Sequence, residues 1–127
     1  MPLRLRVFVD EQRVPVEIEQ DEYDAVSLHA IATDAAGAVI GTGRLLPDGH
    51  VGRMAVAAGY RGRGVGTRVL QALLAEAARR GHRRAVLHAQ LSAVDFYARH
   101  GFERAGGVFT EAGIAHTVMA RTLQPPG

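Results

Sequence analysis

The 127-residue sequence predicts one α/β domain, residues 1–127, with a mixed, mainly antiparallel sheet flanked by helices. Three observations carry this. Apolar residues alternate with polar ones in several runs, while one stretch after residue 64 repeats them at helical spacing. Turn signals join the alternating runs into hairpins. The long helical stretch also stands between two extended runs, and such a crossover is right-handed and sets its two strands parallel.

Leu3 to Gln12 reads as a helix, with Leu5, Phe8 and Val9 at i, i+3 and i+4, although Val7 and Val9 keep a strand open. Pro15 ends it. Glu17 to Asp24 carries Glu17, Glu19, Asp21, Glu22 and Asp24, too much like charge for an interior, and reads as a loop or solvated helical turn. Val26 to Ala32 and Ala38 to Leu46 form a hairpin around Ala35-Ala36-Gly37. Pro47-Asp48-Gly49 turns the chain into a third strand, Val51 to Ala57.

The long helix covers Val65 to Arg80, its stripe made by Val65, Val69, Leu70, Leu73, Leu74 and Ala77, and Gly81 stops it. Arg79, Arg80, Arg83 and Arg84 crowd its end, where cations complement the helix dipole. Arg84 to Gln90 is a further strand. Ser92, with Asp95 as a shortened capping box, opens a short helix that ends at Gly101. Phe102 to Phe109 and Ile114 to Thr122 close the domain as a hairpin around Glu111-Ala112-Gly113.

Composition excludes several chemistries. There is no cysteine, so disulfides, thiolate nucleophiles and cysteine metal sites are out, and all 15 basic residues are arginine. Without lysine there is no Schiff base and no P-loop. The histidines show no metal-binding spacing, and neither Ser27 nor Ser92 lies in a nucleophile elbow, so no metal and no hydrolase triad are expected. No apolar run of about 20 residues predicts a membrane span, and the first residues lack the apolar core of a signal peptide, so a cytoplasmic location without a membrane partner is expected. A net charge of +2 and 6% aromatic residues argue against a nucleic-acid partner.

The segment Arg61-Gly62-Arg63-Gly64-Val65-Gly66 joins the third strand to the long helix. Its glycines remove side-chain bulk where backbone N–H groups face the positive end of a helix dipole, which makes an anion cradle. Arg61, Arg63 and Arg68 add permanent charge suited to a di- or triphosphate. The spacing departs from the Rossmann fingerprint. A plain strand-to-helix turn would use the same glycines, but it needs no arginines.

The run GRMAVAAGYRGRGVGTRVLQALLAEA resembles motif A of the GNAT superfamily of acetyl-CoA-dependent N-acetyltransferases, with Arg61, Gly64 and Gly66 on its signature positions. AQLSAVDFYARHGFERAG resembles motif B, with Gln90 where many members carry asparagine and with Ala93, Tyr97, Gly101 and Phe102 matching. RVFVDEQRVP, DEYD, LHAIA and EAGIAHTVM add a likeness to the ElaA-like subgroup.

The resemblance implies an acyl-CoA N-acyltransferase fold and transfer of acetyl from acetyl-CoA, the cosubstrate, directly to a primary amine. It assigns cofactor binding to Met54, Ala55 and Val56 along the pantetheine arm. Arg61, Gly62, Arg63, Gly64, Val65, Gly66 and Thr67 fall at the pyrophosphate, with Gln90 and Tyr97 nearby. Tyr97 would protonate the departing thiolate, and Glu11, His116 and Glu22 are the candidate bases, each of which a structural role would also explain. The resemblance places a strand before the block containing Arg6-Val7-Phe8, and the sequence leaves that first edge strand unaccounted for. A homodimer supplying it and a non-catalytic acyl-CoA-binding sensor both stay open. The acidic stretch from Glu17 would suit a cationic amine or merely solvate a loop.

Overall fold

The structure, a computed structural model, describes residues 3–8, 15–20, 28–60 and 64–123, with side chains from residue 28 onward except Arg53. Eight strands form one sheet: β1 (Leu3–Phe8), β2 (Pro15–Gln20), β3 (Leu28–Thr33), β4 (Val39–Leu45), β5 (His50–Val56), β6 (Arg84–Gln90), β7 (Glu103–Glu111) and β8 (Ile114–Thr122). Their spatial order is β1-β2-β3-β4-β5-β6-β8-β7. Two helices, α1 (Val65–Arg79) and α2 (Val94–Arg99), follow β5 and β6. Every neighbouring pair is antiparallel except β5 and β6, which are parallel, as the crossover through α1 requires.

The amino-terminal expectations need correction. Residues 3–8 are an edge strand rather than a helix, and Pro15 begins β2 instead of closing a helix. Leu3, Leu5 and Val7 alternate with Arg4 and Arg6, so a period of two competes with the helical one, and pairing with β2 decides between them. Residues 17–20 of the acidic stretch are likewise strand. The like-charge argument omitted the partner: Glu17 lies opposite Arg6 and Glu19 opposite Arg4. Five strands therefore precede α1, not three.

The core lies between the sheet and α1. Leu28, Ala30 and Ala32 of β3 and Ala85, Leu87 and Ala89 of β6 are buried, as are Val69, Leu70 and Leu73 of α1. The helix comes unusually close to β4 because Gly41 and Gly43 present no side chains to it. A Cβ on Gly41 would stand 2.6 Å from Val65, and one on Gly43 2.9 Å from Val69 and 2.8 Å from Leu73. At the far end of α1, Gly81 at φ +88° donates its N–H to Ala78 and His82 donates to Ala77, a paired left-handed stop. Arg79 and Arg80 at this end bind Glu76, which is buried. Helix α2 lacks the cap read at Ser92. A single tight turn, Leu91–Ala93, precedes it, and no side chain caps its first residue.

These contacts generate a stability prediction. Gly43→Ala is expected to cost about 1–3 kcal/mol, because the new methyl would also meet Met54 Sδ at 2.7 Å. Urea unfolding monitored by circular dichroism checks it, and an unchanged midpoint would show that α1 does not press on β4.

Candidate active site

Strands β5 and β6 are each seven residues long yet pair only at His50 with Val86 and Val51 with Leu87. Beyond those pairs the two strands part. On its other side, β5 carries a bulge: Thr42 pairs with Ala55 and Arg44 with Gly52, so Arg53 and Met54 together oppose Gly43. Such an extra residue is left out of the ladder and turns the strand. The parting opens the middle of the sheet.

The amino end of α1 lies at this opening. Gly64, at φ +81°, precedes the first turn, where no side chain among the described residues forms a cap and no acidic residue is present. A residue with a Cβ would cost about 1–2 kcal/mol in that conformation. The uncapped N–H groups and the helix dipole favour an anion. They border a cleft of about 820 Å³, which the end of β5 lines with Met54, Ala55 and Val56 and the start of α1 with Gly64, Val65, Gly66 and Thr67. Phe96, Tyr97, Arg99 and His100 close it from α2. Thr67 Oγ1 and His100 Nε2 are 3.1 Å apart. Arg68, expected among the charges flanking the loop, is buried beneath it, its guanidinium 3.6 Å from where a Gly64 Cβ would stand. The donor set and cleft fit a diphosphate followed by a slim arm lying along β5.

A second cavity of about 750 Å³ is lined by Arg44, His50, His88, Gln90, Glu111 and His116, among others. Met54, Ala93 and Tyr97 line both cavities. Tyr97 is buried, in edge-to-face contact with Phe96 and Phe102, and burial pushes its phenol above the usual value of 10.0, so it stays protonated.

In the second cavity, the β7–β8 turn at Ala112 and Gly113, both at positive φ, sets Glu111 beside Ile114 and Phe109 beside His116. His116 is buried and its Nδ1 lies 2.7 Å from the Ile114 carbonyl. A carbonyl only accepts, so Nδ1 carries the proton and Nε2 of the neutral ring is the basic nitrogen. Glu111 Oε2 stands 3.7 Å from that Nε2, and Oε1 lies 3.2 Å from His88 Nδ1.

Of the residues singled out by sequence, Met54, Ala55, Val56, Gly64, Val65, Gly66, Thr67 and Tyr97 border the first cleft, while Gln90 and His116, opposite each other in the β6–β8 register, border the second with Tyr97. Arg61, Gly62, Arg63, Glu11 and Glu22 lie outside the described residues. Sequence reading missed Phe96, Arg99 and His100 at the first cleft and Arg44, His88 and Glu111 at the second. His100 was reachable, three residues after Tyr97 and so on the same side of a helix. Glu111 was too, because a two-residue turn sets it near His116.

A sheet parted beside an uncapped helix entrance, with one cavity on each side of the gap, is the acyl-CoA N-acyltransferase fold. A family model for an acetyltransferase (GNAT) domain matches residues 3–123, and the chain belongs to that family. The uncharacterized N-acetyltransferase YjcF of Bacillus subtilis is 38% identical over 123 residues, covering 94% of this chain and 87% of the relative. Escherichia coli ElaA superposes with a TM-score of 0.70 at 25% identity, over 80% of this chain and 73% of that one. An aminoglycoside 6'-N-acetyltransferase crystallised with coenzyme A gives a TM-score of 0.71 at 18% identity, over 83% and 77%, a likeness of fold alone.

One titration follows from the first cleft. Burial, then the charges of Arg121 and Arg99, hold the His100 imidazole below its ordinary 6.5. The folded state thus binds this proton more weakly than the unfolded one. His100 contributes stability above pH 6.5 that is lost as the pH falls through its depressed value. An NMR titration of the imidazole is expected to show a midpoint below 6.5 that rises in Arg121→Met. A parent midpoint at or above 6.5 would contradict this electrostatic reading.

Proposed function

We propose that the protein transfers an acetyl group from acetyl-CoA directly to a primary amine. One observation carries the reading: two cavities on opposite sides of the parted strands share Met54, Ala93 and Tyr97. A thioester arriving through one cavity and an amine arriving through the other would meet at that shared wall.

The entrance of α1 would take the pyrophosphate, with Gly64, Val65, Gly66 and Thr67 offering donors and Arg61, Gly62 and Arg63 completing the loop. The pantetheine arm would lie along Met54, Ala55 and Val56, where β5 has no neighbour on the β6 side. An amide-bearing arm is suited to that strand because it can lie beside it as an added strand would. Gln90 would border the arm's reactive end.

In the transfer, the amine nitrogen attacks the thioester carbon, the carbonyl oxygen takes up the displaced electron pair, and collapse of this oxyanion breaks the C–S bond. A backbone N–H released by the bulge at residues 53–54 is suited to stabilise the oxyanion. His116 Nε2 would accept the proton lost by nitrogen, with the Glu111 carboxylate 3.7 Å away to stabilise the imidazolium. Tyr97 would give its proton to the departing thiolate. Burial keeps that proton on the phenol at neutral pH.

Two measurements test this. Calorimetry is expected to detect acetyl-CoA binding that Gly64→Val weakens. With an amine panel and detection of released thiol, Tyr97→Phe and His116→Gln are each expected to lower kcat about 100-fold, with acetyl-CoA affinity retained. Acetyl-CoA binding without thiol release for any amine would instead mark a non-catalytic sensor.

A further inference from the structure

We infer that the second cavity receives an amine that also carries a carboxylate, and that Arg44 is the residue that binds this carboxylate. The inference rests on the acetyl-transfer reading above, and it concerns the part of the acceptor remote from the reacting nitrogen. Arg44 stands on β4 and lines the cavity. Its Nε is buried and has no hydrogen-bond partner among the described residues. Buried donors are almost always satisfied, so one left without an acceptor beside a cavity marks where a ligand supplies it. The guanidinium is planar, permanently charged and forked, which matches the two oxygens of a carboxylate.

The space beside it is open. Gly52 is the residue paired with Arg44 across the β4–β5 ladder, and a Cβ on Gly52 would meet nothing within 4 Å. A ligand group can therefore lie over the Gly52 backbone against the guanidinium.

The remaining charges agree. The one carboxylate among the described residues that line the cavity is Glu111, and it is engaged at 3.2 Å by His88 and faced at 3.7 Å by His116. His50, also on the wall, has its Nδ1 3.0 Å from Asp48 Oδ1, though that buried nitrogen, like Arg44 Nε, makes no hydrogen bond among the described residues. Among the described residues that line the cavity, the charge left unmatched is the positive one of Arg44. This selects against polyamines, which the acidic stretch near Glu17 had made conceivable, and favours amino acids and related amino-carboxylates.

The test uses the protein saturated with coenzyme A and, by calorimetry, compares glycine, β-alanine, γ-aminobutyrate and the standard α-amino acids with their carboxamides and with putrescine. Thiol release from acetyl-CoA is measured with the same compounds. At least one acid is expected to bind and react roughly 10- to 100-fold better than its carboxamide, the range of a charged hydrogen bond. Arg44→Gln is expected to abolish that preference and Arg44→Lys to retain part of it. An unchanged affinity for coenzyme A checks that each variant is folded. Equal binding of acid and carboxamide, no binding of either, tighter binding of putrescine, or a preference that survives Arg44→Gln would each overturn the carboxylate site. An Arg44-dependent preference in binding without turnover of any amine would uphold the site and overturn acetyl transfer instead.

Discussion

Backbone groups in the middle of a sheet have to be paired, and the parting of β5 from β6 takes away, among the described residues, the neighbouring strand that would pair them. The two strands share only the pairs at His50–Val86 and Val51–Leu87. Past Val51, β5 follows β4 through a bulge opposite Gly43, while β6 continues along β8 to the Gln90–His116 pair. Unpaired N–H and C=O groups are tolerable only if water or a ligand satisfies them. The gap therefore predisposes this fold to bind something that behaves like a strand. The entrance of α1, with uncapped donors of its own, adds a demand for negative charge at one end of it.

That geometry depends on how firmly α1 is seated. Gly41 and Gly43 allow Val65, Val69 and Leu73 to approach β4 more closely than any side chain on the strand would permit. The first turn of the helix is thereby held against the end of β5. At the opposite end, Gly81 closes the helix, and the Arg79 and Arg80 that crowd it are engaged by buried Glu76. The arginine cluster is thus part of the helix stop. A surface that offered those charges to nucleic acid would have to break the Glu76 pairings first.

Local signals in the sequence located the elements that frame the site, and long-range pairing decided the rest. The long helix, β6 and the closing hairpin were legible because each has one dominant local pattern, and glycines mark the helix stop and the hairpin turn. The gap was not legible: nothing in Gly52-Arg53-Met54 or in His88-Ala89-Gln90 announces that the strands separate, because separation is a property of the pair. The edge strands failed for a related reason. Leu3–Phe8 satisfies both a helical and an alternating pattern, and the acidic residues of β2 look unfit for a sheet until Arg4 and Arg6 are set across from them. Site residues followed the same division. Gly64, Gly66 and Thr67 of the glycine-rich motif border the first cleft, whereas Arg44, His88 and Glu111 come together only through the registers of five strands.

The wall shared by the two cavities separates environments that differ in what they ask of a charge. On the α1 side, backbone dipoles and Arg99 favour anions, while burial and its arginine neighbours hold the His100 imidazole below its ordinary value. On the β7–β8 side, an imidazole with a fixed tautomer faces a carboxylate. Tyr97 lies between them in an apolar setting that opposes its ionisation. Its phenol therefore keeps its proton at the wall that both cavities share.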